Sequence, residues 1–299
     1  MAPVDCGLAL LVMAIWGGNY AIAKLGLLEL PPFLLLATRF FLVGVLTVPF
    51  AGTPRRHLPQ LLTLSVVFGT LHFGLVYLGL TRVDAATGAV LVQLQVPFAA
   101  IISFWLLGDR PGWPWLVGAS LAFLGALILL GAPRLSTSLG HALLIILSAV
   151  MWAASYLQLK GMQKPGPITP FSVNAWMSLF TAPQLLVLSL VFEHDQLPAL
   201  RMLSVTGWAS LAYQVLFTGI LAYALWYRLI ARYPVSTVSP FTLTIPVFSS
   251  LASALLLGEP ITARFMAGAG LTLWGVGSLM RGTRAPAQGA VPTDSRRGA

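Results

Sequence analysis

The chain has 299 residues, of which 58% are hydrophobic and only 8% charged, and its mean hydropathy is +0.87. A soluble domain is about a quarter charged, so this composition excludes a single soluble core and implies a polytopic membrane protein. The net charge of +9 does not point to nucleic acid, because the basic residues sit singly or in pairs at the ends of apolar runs, where they orient a protein in a membrane.

In chain order, the N-terminus MAPVDCGLAL lacks the basic cluster of a signal peptide and is expected to be a retained first helix. Apolar runs of roughly 20 residues then predict ten spans, with approximate limits 6–27, 33–51, 59–80, 85–107, 113–131, 140–159, 170–192, 205–229, 236–257 and 264–281. With the N-terminus inside, eleven basic residues fall on the cytoplasmic side and five opposite, with Arg39 inside a span. That bias predicts both termini in the cytoplasm. The tail RGTRAPAQGAVPTDSRRGA is charged and aperiodic, so residues 282–299 are expected to be a disordered basic cytoplasmic segment.

One unit is written twice. Residues 82–111, RVDAATGAVLVQLQVPFAAIISFWLLGDRP, return in altered form at 232–260 as RYPVSTVSPFTLTIPVFSSLASALLLGEP. Trp16 to Lys24 matches Trp152 to Lys160 in type and spacing, Tyr77 lies opposite Tyr227, and Gly118 and Gly125 reappear as Gly268 and Gly275. Each half therefore holds five spans, 1–134 and 135–281. An odd number per half makes the repeats inverted, which is an architecture of transporters that open alternately to either side.

These residues resemble the ten-helix drug/metabolite transporter (DMT) superfamily, each half being similar to an EamA domain. The resemblance rests on WGGNYAIAKLGL, PPFLLLATRF with Arg39, VPFAAIISFWLLGDRP and VGASLAFLGALILLG in the first half, and on TGILAYALWYRLIAR, IPVFSSLASALLLGEP and AGAGLTLWGVGSL in the second. Within the superfamily the chain looks most like the YddG-type exporters of aromatic and other neutral amino acids. Other members move purines, nucleotide sugars, choline or drugs, so these remain alternatives. The resemblance implies a monomer in the bacterial inner membrane, with a central cavity between helices 1 to 4 and 6 to 9 and peripheral helices 5 and 10.

The candidate functional residues are the polar and aromatic ones at mid-depth. Pro97 and Pro246 each remove a backbone hydrogen bond to a carbonyl four residues earlier, of Gln93 and Thr242, and such freed groups must be satisfied inside protein or a water-filled cavity. Helices 4 and 9 are thus expected to line a cavity and hinge there, unless a neighbouring helix patches a static kink. A zwitterion needs acceptors for its ammonium and donors for its carboxylate, and Asn19, His72, Gln93, Gln95, Thr242 and Thr244 offer both; interhelical hydrogen bonding is the competing role for each. Trp16, Tyr20, Tyr77, Trp152, Tyr156 and Tyr213 offer ring faces for an apolar side chain, against the competing role of membrane-interface anchors. Lys24 and Lys160 end their repeats on opposite sides, as snorkelling anchors or as gate charges, and Arg39, about two turns into helix 2, is expected to snorkel outward or to make a structural pair. Asp84, Asp109 and Glu259 fall at helix ends, leaving no span with an acid at mid-depth. A facilitator running down the solute gradient is therefore the expected mechanism, with proton coupling as the alternative. One cysteine, four scattered histidines and no paired carboxylates argue against an integral-membrane enzyme, a metal site or a cofactor.

Overall fold

The computed structural model describes residues 1–107, 113–130, 138–162, 168–233 and 238–282. Every regular element among them is helical. The first half carries α1 (Pro3–Leu27), α2 (Pro32–Thr47), α3 (Leu58–Leu64), α4 (Phe73–Leu80), α5 (Ala85–Val92), α6 (Gln95–Leu107) and α7 (Trp113–Leu130). The second carries α8 (Leu139–Gly161), α9 (Pro170–Phe192), α10 (Gln196–Arg201), α11 (Val205–Ala212), α12 (Ala222–Arg232), α13 (Ile245–Leu257) and α14 (Ala263–Gly282). Six helical runs are long and apolar enough to cross a membrane, namely Pro3–Leu27, Pro32–Phe50, Arg55–Leu80, Leu139–Tyr156, Pro170–Phe192 and Val205–Arg232. Shorter apolar helices cover Ala85–Ala99, Leu116–Leu129 and Phe241–Leu257. The protein is a multi-pass, all-α membrane protein. Its tail beyond residue 282 lies outside the described residues, as do Asp109 and the side chain of Lys160.

Lipid-exposed surface is apolar, with Trp105, Leu127, Leu190, Leu255 and Trp274 each more than 60% exposed. Between helices there is no such contrast with lipid, so packing and hydrogen bonds hold the bundle. Small residues let backbones meet. A Cβ on Gly17 would lie 2.6 Å from the Ile245 carbonyl oxygen, so α1 and α13 touch there without a side chain between them.

The contacts recur across the two halves in reciprocal pairs. Gly125 faces the Gly268 carbonyl, and Gly275 faces the Gly118 carbonyl, which seals α7 against α14. Gly69 packs on Thr181 of α9, while Gly219, 150 positions later, packs on Val43 of α2. Reciprocity of this kind is what a twofold relation generates.

The third and eighth spans are not uniform α-helices. Ser65–His72 and Tyr213–Leu221 are π-helical, a form rare enough that its appearance at equivalent places in both halves is informative. Helix α9 supports both. Gln184 accepts from Thr70 Oγ1 at 2.7 Å and donates to Ser65 Oγ at 2.7 Å, and Asn174 Nδ2 donates to the Gly219 carbonyl at 3.0 Å. Periodicity alone does not distinguish this winding, because the apolar pattern continues through it.

The fourth and ninth spans break, as their prolines predict, but the freed carbonyls are taken up within the protein. Helix α5 ends at Val92 and α6 begins at Gln95. The Gln93 carbonyl accepts from the Val96 N–H at 3.1 Å in a local turn. In the ninth span a 3-10 turn, Ser239–Thr244, precedes α13. The Thr242 carbonyl there accepts from the Ile245 N–H and from Gln93 Nε2, the latter at 2.9 Å. The side chain at one break therefore caps the backbone at the other.

Candidate functional site

A cavity of about 90 Å³ lies where the π-helical and broken segments meet. Its walls come from α1 (Trp16, Asn19, Tyr20), α2 (Arg39), the π segment and α4 (Phe68, His72, Phe73, Val76, Tyr77, Leu80), the end of α5 (Val92, Gln93), α8 (Trp152), the eighth span (Thr218, Tyr223) and α13 (Ile245). None of the described side chains of α7 and α14 lines it. The cavity is smaller than the roughly 150 Å³ space that accepts a benzene ring, so an aromatic solute requires the walls to part.

The walls are largely aromatic. His72 stacks on Phe68 with centroids 5.1 Å apart and planes 4° apart, and meets Phe73 and Trp152 at 4.8 and 4.9 Å. Trp16 packs edge-on against Tyr223 and Trp226, each at 5.4 Å. The Ser148 carbonyl lies 3.0 Å from His72 Nδ1. A carbonyl only accepts, so Nδ1 carries the proton, and the neutral form of the ring keeps its lone pair on Nε2. Asn19 Oδ1 accepts from Thr218 Oγ1 at 3.1 Å, joining α1 to the eighth span beside the cavity.

Of the residues proposed from sequence, Trp16, Asn19, Tyr20, His72, Tyr77, Gln93 and Trp152 come together on this one cavity. The others go elsewhere. Tyr156 is 44% exposed and donates its hydroxyl to the buried Gln95 at 2.9 Å, so these two form an interhelical bond between α8 and α6. Tyr213 donates to the Ile15 carbonyl at 3.0 Å. Thr244 Oγ1 bonds locally to the Phe241 carbonyl at 2.7 Å, and Thr242 contributes its backbone to Gln93. None of these five side chains, nor Pro97 or Pro246, lines the cavity.

Two charged residues have defined partners inside the bundle. Arg39 does not snorkel outward. It is 2% exposed, lines the cavity, donates from Nη1 to Tyr77 Oη at 2.9 Å and lies over the rings of Phe40 and Phe73 at 5.2 and 5.1 Å. Aromatic faces and a phenol hold the cation in place of water. Its position as the basic residue farthest from any span end was the one signal in the sequence that could have marked it. Lys24 is a cross-half partner rather than a free anchor. Its Nζ bonds Glu259 Oε1 at 2.9 Å and the Val83 carbonyl at 3.0 Å.

Glu259 also accepts from the Ala85 N–H at 3.0 Å, at the start of α5. The same device recurs at this end of the bundle. Glu193 accepts from the N–H groups of Phe33 and Leu34 at 2.7 and 3.0 Å, at the start of α2. Glu29 accepts from the Ser204 hydroxyl and N–H at 2.6 and 2.7 Å, at the start of α11. Those bonds hold the Glu29 carboxyl below its ordinary range. Each acid of one half thus meets the donor-rich N-terminus of a helix in the other half. At the opposite end Asp5 accepts from Tyr233 Oη at 2.7 Å and lies 3.6 Å from Arg232, and Trp176 Nε1 donates to the Gly52 carbonyl at 3.1 Å. The cavity therefore lies between two tied ends.

Comparison with known proteins agrees with this architecture. A protein of Salmonella typhimurium named "Probable amino-acid metabolite efflux pump" is 29% identical over 282 residues, covering 92% of this chain and 94% of that protein. An Escherichia coli K12 protein of the same name is 27% identical with the same coverage. A solved crystal structure, 18% identical, matches 97% of this chain and 100% of its own with a TM-score of 0.63, which shows a shared fold. The model of the EamA-like transporter family matches twice, over residues 6–131 and 139–281. The chain belongs to that family, and is a membrane transporter of the drug/metabolite transporter type.

Proposed function

We propose that the protein exports amino acids, aromatic and other neutral ones, by alternating access. In this reading ten spans form two inverted five-helix repeats, residues 1–134 and 135–281, in a bacterial inner membrane with both termini cytoplasmic, and the protein works as a monomer. The observation that carries the proposal is the cavity walled from both halves by aromatic rings and by Asn19, His72 and Gln93. Rings suit an apolar side chain, and the polar groups suit the zwitterionic backbone of an amino acid. The names of the relatives point to the same solute class.

Alternation has a physical basis in the ties described above. Opening one end separates helix N-termini from the acids of the other half, and the repeated breaks near Pro97 and Pro246 supply places for the bend. The carboxylates Asp5, Glu29, Glu193 and Glu259 engage partners at the ends of the bundle, so a proton relay through the centre is not required and the solute gradient drives export.

The test is counterflow in proteoliposomes of the purified protein, with radiolabelled phenylalanine inside and phenylalanine, tryptophan, threonine, a purine or a nucleotide sugar outside. Amino acids are expected to drive exchange, and flux is expected to persist when a protonophore collapses the proton gradient. His72→Leu or Gln93→Leu, recovered folded in the membrane, is expected to lower flux at least tenfold. Exchange driven by the purine or nucleotide sugar alone, or unchanged flux in both variants, overturns the assignment.

A further inference from the structure

The guanidinium of Arg39 is the one feature of the cavity that the reading above leaves unused. A cation buried to 2% exposure is costly unless it has an anion. The two ion pairs among the described residues are Lys24 with Glu259 and Arg232 with Asp5, and neither includes Arg39. Its Nη1 has the Tyr77 hydroxyl, a neutral group, and its Nε is buried with no hydrogen-bond partner. A small void of about 10 Å³ beside Arg39 and Ser178 is the size of one water, which satisfies a donor but not a charge.

The surroundings hold this cation in place. Tyr77 Oη accepts from Arg39 and donates to Gln214 Oε1 at 2.6 Å; Gln214 Nε2 donates to Ser210 Oγ at 3.1 Å; Ser210 Oγ donates to the Ile22 carbonyl at 2.6 Å. The chain fixes the phenol, and the phenol fixes one edge of the guanidinium. Phe40 and Phe73 hold its faces. What remains is a pre-oriented fork with an unmatched charge on the wall of the cavity.

We propose that Arg39 is the anchor for a carboxylate of the transported solute, so that the protein selects solutes that carry a carboxylate and discriminates against their neutral amides. The proposal rests on the reading that this cavity is the transport site. An arriving carboxylate forms charge-assisted hydrogen bonds to the fork and supplies the anion that the fold omits. The solute side chain then lies against the rings of Phe68, Trp152 and Trp16, and an ammonium group, where there is one, is offered the Nε2 lone pair of His72.

Binding of L-phenylalanine, L-phenylalaninamide and 3-phenylpropionate to the purified full-length protein, measured by displacement of radiolabelled phenylalanine and by thermal shift, tests this. The wild type is expected to prefer phenylalanine over the amide at least tenfold. Arg39→Gln is expected to bring that preference to within threefold by weakening the acid and not the amide, and Arg39→Lys to keep part of it, since lysine retains the charge but loses the fork. If Arg39→Gln weakens acid and amide alike, the residue is a structural support and the proposal fails. Should Arg39→Gln not fold, the wild type still decides, because equal binding of acid and amide overturns the anchor. Phenylalanine counterflow that the amide inhibits equally would leave the amino-acid reading standing without the anchor. Arg39-dependent binding of 3-phenylpropionate with no binding of any amino acid would do the reverse.

Discussion

At the residue scale, Gly69 shows how little room the bundle leaves. A Cβ at this position would overlap the side chain of Thr181 on α9. Overpacking of this kind costs about 1–3 kcal/mol. Gly69→Ala is expected to destabilise by that amount in a thermal or denaturant unfolding assay, and Thr181→Ala in the same chain is expected to return at least half of the loss. Additive destabilisation by the two changes would show that the contact is not the cause. Arg39 and Lys24 make a related point about charge. A lone basic residue in an apolar run has two outcomes, outward snorkelling or inward pairing, and which occurs depends on the face its helix turns to the centre. For Arg39 that face was set by the packing of Phe40 and Phe73, and no local pattern records it.

At the element scale, the breaks in the fourth and ninth spans were legible because proline chemistry is local. Loss of one N–H and a ring clash with the preceding turn occur wherever Pro97 and Pro246 stand in a helix. The identity of the patch was not legible. Gln93 reaches across to the Thr242 carbonyl, so each break depends on the other half of the chain. Pro97→Ala lets the chain from Ala85 run on as one continuous helix. It is expected to raise thermal stability slightly or leave it unchanged, while counterflow falls several-fold with phenylalanine binding retained. Flux at wild-type level would mean that the break is a static kink. The π-helical segments left no trace in the apolar pattern, since insertion of one residue into a turn preserves composition and shifts only the face presented. Their lone hints were Gly69 and Gly219 at the same place in each repeat.

At the scale of the whole molecule, three acids tie one end of the bundle across the halves, and Asp5 with Trp176 ties the other. Glu259 makes the most connections, to Lys24 and to the start of α5. Glu259→Gln removes a charge-assisted bond worth about 1.5–3 kcal/mol, and the end it closes is expected to open more often. With Cys6→Ser as background and Val76→Cys as a probe on the cavity wall, maleimide labelling from that side is expected to speed up several-fold in Glu259→Gln. An unchanged labelling rate would show that this ion pair does not limit access to the cavity.

The sequence by itself determined the class of molecule. Its composition demanded lipid, its repeat demanded two related halves, and its prolines placed two breaks, because each of these follows from interactions within a few residues or from bulk transfer energy. It also picked out seven cavity residues, since polar and aromatic groups are scarce in apolar spans. Only the tertiary structure decided that Gln95 and Tyr156 bond each other away from the cavity, that helix-end acids act as caps on the opposite half, and that Arg39 points inward. Those outcomes depend on the rotation of each helix about its own axis and on partners from 38 to 175 residues away, and neither quantity is encoded locally.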